Sequence, residues 1–196
     1  MKNKLLIFDG NNAAYRSYVL GDLRTTDGLG TAVPYGILSM TINVLEKFGN
    51  ANFLFTWDYG KSKRRLALYP QYKAGRRKDD EESKKKYDEF HKQLKLTQKI
   101  FKWLRLPQLY SYGIEADDLI AIFSYWATVT DQKLIDTDII IVSSDKDMYQ
   151  LLTKNISVYN PIQRKLITKK SFIKERGYTP KQHLLVKVLT GDKSDN

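Results

Sequence analysis

Three short apolar runs in this chain each lead into an aspartate, and helical patterns alternate with them. Residues 4–8 run into Asp9, residues 52–57 run into Asp58, and residues 138–142 run through Ser143-Ser144 to Asp145 and Asp147. Runs this short and this uniformly apolar suit strands covered on both faces. Helical periodicity follows at 11–20, with Asn11 or Asn12 as its cap. It returns from Pro34, where Ile37, Leu38, Val44, Leu45 and Phe48 share a face and Gly49-Asn50 close it. Residues 61–82 read as irregular, and Phe90, Leu94, Phe101 and Leu104 mark a helix ending before Pro107. Further helices are expected at 115–128, with Leu119, Ile120, Phe123 and Trp126 inward, and at about 146–152. Short strands flank a turn at Asn160-Pro161, and Thr179-Pro180 opens a last helix. The alternation predicts an α/β fold: a mostly parallel central sheet with helices on both faces. A chain of 196 residues is enough for one such domain and thin for two, so one domain over 1–196 is expected, with 61–105 inserted above the sheet.

Ligands of open parallel sheets bind outside the carboxyl ends of the strands, which is where the three aspartate groups should lie. A fourth acidic group, Glu115-Ala116-Asp117-Asp118, follows Gly113 and opens a helix. Acids there offset the helix dipole, which accounts for one or two of them. A fifth, Asp192 and Asp195, reads on its own as a turn. Together these make nine carboxylates: Asp9, Asp58, Glu115, Asp117, Asp118, Asp145, Asp147, Asp192 and Asp195. Like charges a few Å apart raise each other's pKa, and divalent cations relieve that conflict. The chain has no cysteine and two histidines, so the metal implied is one held by oxygen: Mg²⁺, Mn²⁺ or Ca²⁺ rather than zinc. Two such ions about 3.5–4 Å apart can clamp the attacking and leaving oxygens of a phosphoryl displacement, with no cysteine, histidine or serine nucleophile.

The formal net charge is +11, and one segment carries it. Residues 61–105 hold 16 of the 33 lysines and arginines and 6 of the 22 acids, an excess of ten that leaves +1 for the rest. A focused cationic stretch suits a polyanion such as nucleic acid, and equally a solvated charged hairpin. The first apolar run is too short for a signal peptide, and no stretch approaches the about 18 apolar residues of a membrane span. A soluble, cytoplasmic protein without membrane partners is expected.

Six blocks in order resemble the structure-specific 5′ nuclease family, which includes bacteriophage flap endonucleases and the 5′-nuclease domain of bacterial DNA polymerase I. They are Phe8-Asp9-Gly10-Asn11-Asn12 with Tyr15-Arg16, Trp57-Asp58, Tyr72-Lys73-Ala74-Gly75-Arg76, Gly113-Ile114-Glu115-Ala116-Asp117-Asp118, Ser144-Asp145-Lys146-Asp147-Met148 and Gly191-Asp192-Lys193-Ser194-Asp195-Asn196. The resemblance implies a PIN-like fold with a basic helical arch at about 61–105. It implies metal-dependent 5′-3′ exonuclease or flap endonuclease activity on DNA in replication or repair. Asp9, Asp58, Glu115, Asp117 and Asp118 look like the group around a first Mg²⁺. Asp145, Asp147, Asp192 and Asp195 look like the group around a second, with Mn²⁺ able to substitute. Lys73, Asp9, Asp118 and Asp145 would carry the chemistry. Arg16, Tyr72, Lys73 and Arg76 would meet the substrate, Tyr72 either stacking on a base or packing. The implied partners are DNA with 5′ single-stranded ends or flaps and an RNA primer, met by a monomer. Family members continue past the last block into a helix-hairpin-helix module that grips duplex DNA, and this sequence ends at Asn196.

Other readings stay open. A phosphatase of the haloacid dehalogenase type would need a second aspartate where Asn11 stands. A PIN-like ribonuclease shares the acidic edge but is usually shorter and lacks the basic insertion. A catalytically weak nucleic-acid-binding domain should show gaps among the nine carboxylates, and none is missing.

Overall fold

In the computed structural model, which describes residues 3–49, 51–74, 80–129 and 136–191, six strands form one sheet. They are β1 (Lys4–Asp9), β2 (Asn52–Thr56), β3 (Gln108–Leu109), β4 (Asp138–Val142), β5 (Ile156–Asn160) and β6 (Lys165–Ile167), in the spatial order β3-β2-β1-β4-β5-β6. All neighbours are parallel except β5 and β6, which form an antiparallel hairpin through Asn160-Pro161. The register sets Asp9 against Thr56 and Phe8 against Val142, so β1, β2 and β4 finish level. That level finish brings Asp9, Asp58 and Ser143 to one edge.

Successive side chains of a strand point to opposite faces, and here each face has its own core. Leu6, Phe8, Phe55, Trp57, Ile140 and Val142 pack against α1 (Gly10–Leu20), α2 (Ala32–Phe48) and α4 (Glu81–Trp103), through Ala13, Ala14, Val33, Ile37, Val44, Leu94 and Phe101. Ile7, Ile139, Ile141, Ile156 and Val158 pack against α5 (Ala116–Val129), α6 (Lys169–Arg176) and a 3-10 helix (Lys146–Leu151), through Ile120, Ala127, Phe172, Met148 and Tyr149. Phe55 anchors the first core, with ring centroids 4.8 Å from Phe8 and 4.5 Å from Phe101. Such ring pairs add roughly 0.5–1.5 kcal/mol each beyond their buried area. Gly10 lets α1 start against this core. A Cβ there would lie 2.5 Å from the Trp57 ring and 2.7 Å from the Thr56 carbonyl oxygen.

Several local expectations change. The cap of α1 is Asp9, not Asn11 or Asn12: its carboxylate accepts from the Asn12 N–H. The turn therefore starts one step earlier, directly off the strand. The stretch expected to be irregular contains α3 (Lys63–Leu68), capped by Ser62, whose hydroxyl accepts from the Arg65 N–H. The long α4 starts at Glu81 under an Asp80 cap, and its later half belongs to the core, with Leu94 and Phe101 buried. Residues 146–151 wind as a 3-10 helix. α6, where no helix was expected, opens on a Thr168–Ser171 capping box. The last helix is α7 (Pro180–Thr190), capped by Thr179 as its sequence implied. Among the described residues no helix is long and apolar enough to cross a membrane.

Candidate active site

Each of the three sheet-end aspartates uses one oxygen to satisfy a helix-start N–H. Asp9 accepts from Asn12 (3.1 Å), Asp58 from Ala116 at the start of α5 (2.7 Å) and Asp145 from Asp147 (2.8 Å). The first amides of a helix need acceptors from outside it, so these bonds fix the carboxylates without neutralising them. Ser143 ties two of the groups together. Its hydroxyl donates to Asp9 Oδ2 (3.0 Å) and accepts from the Asp145 N–H (3.0 Å). Asn11 holds Asp58 reciprocally, donating to Oδ2 and accepting from the Asp58 N–H, both at 3.0 Å. Asn12 accepts from the Ser144 N–H (3.3 Å) and hydroxyl (2.6 Å).

The charges are strained by this gathering. Asp9 is 6% exposed, and burial pushes its pKa up to about 7 against the pull of the Asn12 and Ser143 bonds, with Asp58 and Asp145 adding to the rise. Asp58 is raised by the protein packed round it and by Glu115 and Asp117. Asp145 is raised by burial and by Asp147 and Asp117, and Asp118 by burial and by Asp117. The mutual influence runs from Asp58 through Asp9 and Asp145 to Asp117, so the carboxylates of β1, β2, β4 and α5 share one field.

Cations of the chain stand among them. Arg65, from the first turn of α3, bonds Glu115, Asp117 (3.3 Å) and Asp118 (2.9 Å). Lys73 donates to the other Glu115 oxygen at 2.9 Å, and the Tyr72 hydroxyl donates to Glu115 at 3.0 Å. Burial works to raise the Glu115 pKa, but the Lys73 and Tyr72 bonds and the Arg65 charge outweigh it and hold the group below its usual range. Lys73 has a φ of 56°, a left-handed conformation costing a residue with a Cβ about 1–2 kcal/mol. Its ammonium and the Arg65 guanidinium lie 5.1 and 5.7 Å from the Tyr72 ring centre. Asp147 pairs with Lys187 of α7. Arg16, on the exposed side of α1, donates from Nε to the Ser144 hydroxyl (2.6 Å). Arg76, Asp192 and Asp195 lie outside the described residues.

Sequence reasoning gave no role to Arg65, Ser143 or Lys187. Arg65 sits among many cations, and only the Ser62 cap, which starts α3 and turns its first residues toward the acids, could have singled it out. Among the described residues no three acidic groups close on a common point that an ion would fill; Arg65, Lys73 and Lys187 stand there instead. The donor set itself fits a hard cation. It is all oxygen, it comes from strand ends and the start of α5, and burial, with neighbouring carboxylates adding to it, holds four of its members above their ordinary pKa, a conflict that a bound cation relieves. A bound ion would have to draw Asp117 and Asp118 from Arg65.

Residues 4–178 match the family described as 5′-3′ exonuclease, N-terminal resolvase-like domain. DNA polymerase I of Lactococcus lactis is 30% identical over 204 residues, covering all of this chain and 22% of that protein. The 5′-3′ exonuclease of Aquifex aeolicus is 33% identical over 193 residues, covering 98% of this chain and 63% of that protein. The chain thus spans about a fifth of the DNA polymerase I relatives. Among solved structures, the T5 D15 protein co-crystallised with metal ions superposes with a TM-score of 0.81 at 22% identity, over 99% of this chain and 69% of that one. That likeness establishes the fold.

Proposed function

This chain belongs to the 5′-3′ exonuclease N-terminal resolvase-like domain family, and from that premise we propose that it hydrolyses phosphodiester bonds at 5′ ends or flaps of DNA with divalent cations. The observation that carries the reading is the joining of acids from β1, β2, β4 and α5 at one sheet edge, with Asp9, Asp58, Asp118 and Asp145 all displaced upward in pKa. Asp9, Asp58, Glu115, Asp117, Asp118, Asp145 and Asp147 would hold two Mg²⁺ or Mn²⁺ ions, joined by Asp192 and Asp195. Ions held there supply Lewis acidity, activating water and stabilising the leaving oxygen.

The chain's own residues do the rest. Ser143 keeps Asp9 and Asp145 at a fixed spacing, and Asn11 keeps Asp58 facing the edge. Lys73 sits at the rim with its charge intact, because Glu115 raises its pKa although burial opposes this. From there it reaches the scissile phosphate and meets the charge that develops in the transition state. Arg65, released when cations take over the acids, supplies a second positive contact. Arg16 binds a phosphate from the α1 side, and Arg76 does so from the basic stretch that follows Lys73. The cationic segment 61–105 admits the single strand, with Tyr72 available for base contact.

The test is cleavage of a 5′-labelled flap and a blunt duplex, each with Mg²⁺ and with EDTA. Mg²⁺-dependent release of labelled product supports the reading. Tight binding of both substrates without any cleavage would replace it with that of a nucleic-acid-binding domain.

A further inference from the structure

The cleft beside the acidic edge continues past Lys73. It encloses about 920 Å³, and its far wall includes Tyr59, Lys61, Lys95, Gln98 and Tyr110. Gln98 and Tyr110 also line a second cleft, of about 500 Å³, between α4 and the β3 edge. The two clefts therefore adjoin. The second is lined further by Lys99, Lys102 and Arg105 and by no acid.

Helix geometry makes this a row. Residues 95, 98, 99 and 102 share one face of α4 and extend it by about 10 Å. Lys95, Lys99, Lys102 and Arg105 are all exposed. Across the clefts from them, Tyr59 and Tyr110 keep 53% and 58% of their surface in solvent, and Tyr112, beside Tyr59, keeps 66%. Their rings meet edge to face at 5.8 and 5.6 Å, and the Lys63 ammonium lies 4.4 Å from the Tyr112 ring centre. A cation in the last turn of α4 meets the helix dipole, which accounts for Lys102. It does not account for Arg105, which lies beyond the helix with a φ of 55°, where glycine is the unstrained choice. Nor does it account for three touching tyrosines left open to water.

The geometry points to a single-strand track. DNA leaving the acidic edge through the larger cleft continues along α4 and the β3 edge, its phosphates on Lys99, Lys102 and Arg105 and its bases on Tyr59 and Tyr110. Aromatic platforms beside a cationic groove bind single strands without reading their sequence. The inference rests on the nuclease reading for its substrate and adds a surface outside the acidic site.

The test compares two 5′-flap substrates by fluorescence anisotropy in EDTA, where they stay intact. One flap is too short to leave the first cleft, and the other is long enough to cross both. The track predicts that the wild-type chain binds the long flap more tightly. Tyr110→Ala should reduce that long-to-short ratio about tenfold. Lys102→Ala combined with Arg105→Gly should flatten the salt dependence of long-flap binding by about 1.4 in log–log slope. Arg105→Gly also relieves the left-handed backbone, so an unchanged or raised Tm separates lost affinity from lost folding. An equal ratio and slope in wild type and variants overturns the track. Cleavage with Mg²⁺ is measured on the same substrates. Cleavage with an unchanged ratio removes the track alone, whereas Tyr110-dependent strand binding without cleavage removes the nuclease reading and keeps the track.

Discussion

Replacing Asp9 with asparagine should make the metal-free protein more stable at pH 8 while abolishing cleavage. The Asp9 carboxyl is 6% exposed, and burial lifts its pKa from 3.8 to about 7. A rise of about three units, at about 1.4 kcal/mol each, means that ionising Asp9 inside the fold costs roughly 4 kcal/mol more than in the unfolded chain. The folded pKa is the higher one, so the folded state holds the proton more tightly. Below about pH 4 both states are protonated and no penalty exists. Stability is lost as pH rises from about 4 to 7, and the full penalty stands above 7. Asparagine keeps an acceptor for the Asn12 N–H; toward Ser143 its amide N–H takes the place of Oδ2, so that hydroxyl turns from donor to acceptor and loses the partner of its own proton, which offsets about 1 kcal/mol of the gain. For a chain of this size about 4 kcal/mol corresponds to roughly 10 °C in Tm, so the shift falls somewhat short of that. Thermal melts in EDTA at pH 8 and pH 4.5 measure it directly: the variant should melt higher at pH 8, and the gap should shrink at pH 4.5. A variant that melts below wild type at pH 8 would refute the argument that Asp9 carries an unrelieved buried charge.

Arg65→Met should destabilise the metal-free protein by about 2 kcal/mol, once the part exposure of the arginine is discounted, because Asp117 and Asp118 lose the Arg65 cation and Glu115 keeps only that of Lys73; Mg²⁺ should recover much of the lost Tm, and a loss indifferent to Mg²⁺ would show that ions do not take its place. Lys73→Ala should slow single-turnover cleavage about a hundredfold with a much smaller change in Kd; an unchanged single-turnover rate would remove Lys73 from the chemistry. Gly10→Ala should cost about 1–3 kcal/mol by urea denaturation, since its Cβ meets the Trp57 ring and the Thr56 backbone, neither of which can easily retreat; an unchanged urea midpoint would contradict the tight seating of α1 on β2.

The parallel sheet was legible because β1, β2 and β4 are buried on both faces and so read as unbroken apolar runs, each closed by acid. Asp9, Asp58, Asp145 and Asp147 could be expected at one edge from that alone, since strand ends in a parallel sheet finish together; Glu115, Asp117 and Asp118 open α5, and strand ends say nothing of where a helix start lies. The cap of α1 was misplaced because Asp9 does two jobs, and the sequence offered three adjacent capping residues in Asp9, Asn11 and Asn12. The 3-10 helix at 146–151 carries the same buried pattern, Met148 and Tyr149, that an α-turn would show. What could not be read was the partnering. Arg64 and Arg65 are equivalent in sequence, and only the three-dimensional path of α3 turns Arg65 onto three acids that lie some fifty positions later. The Ser143 bridge likewise depends on the β1–β4 register, which pairs residues 134 positions apart.

Counting bound Mn²⁺ by electron paramagnetic resonance, on the wild-type chain and on Asp145→Asn, tests the acidic edge most directly. A paired metal site at this edge should hold two ions per wild-type chain and at least one fewer in the variant, with cleavage that rises with occupancy. Cleavage at full rate with no manganese or magnesium bound would contradict it.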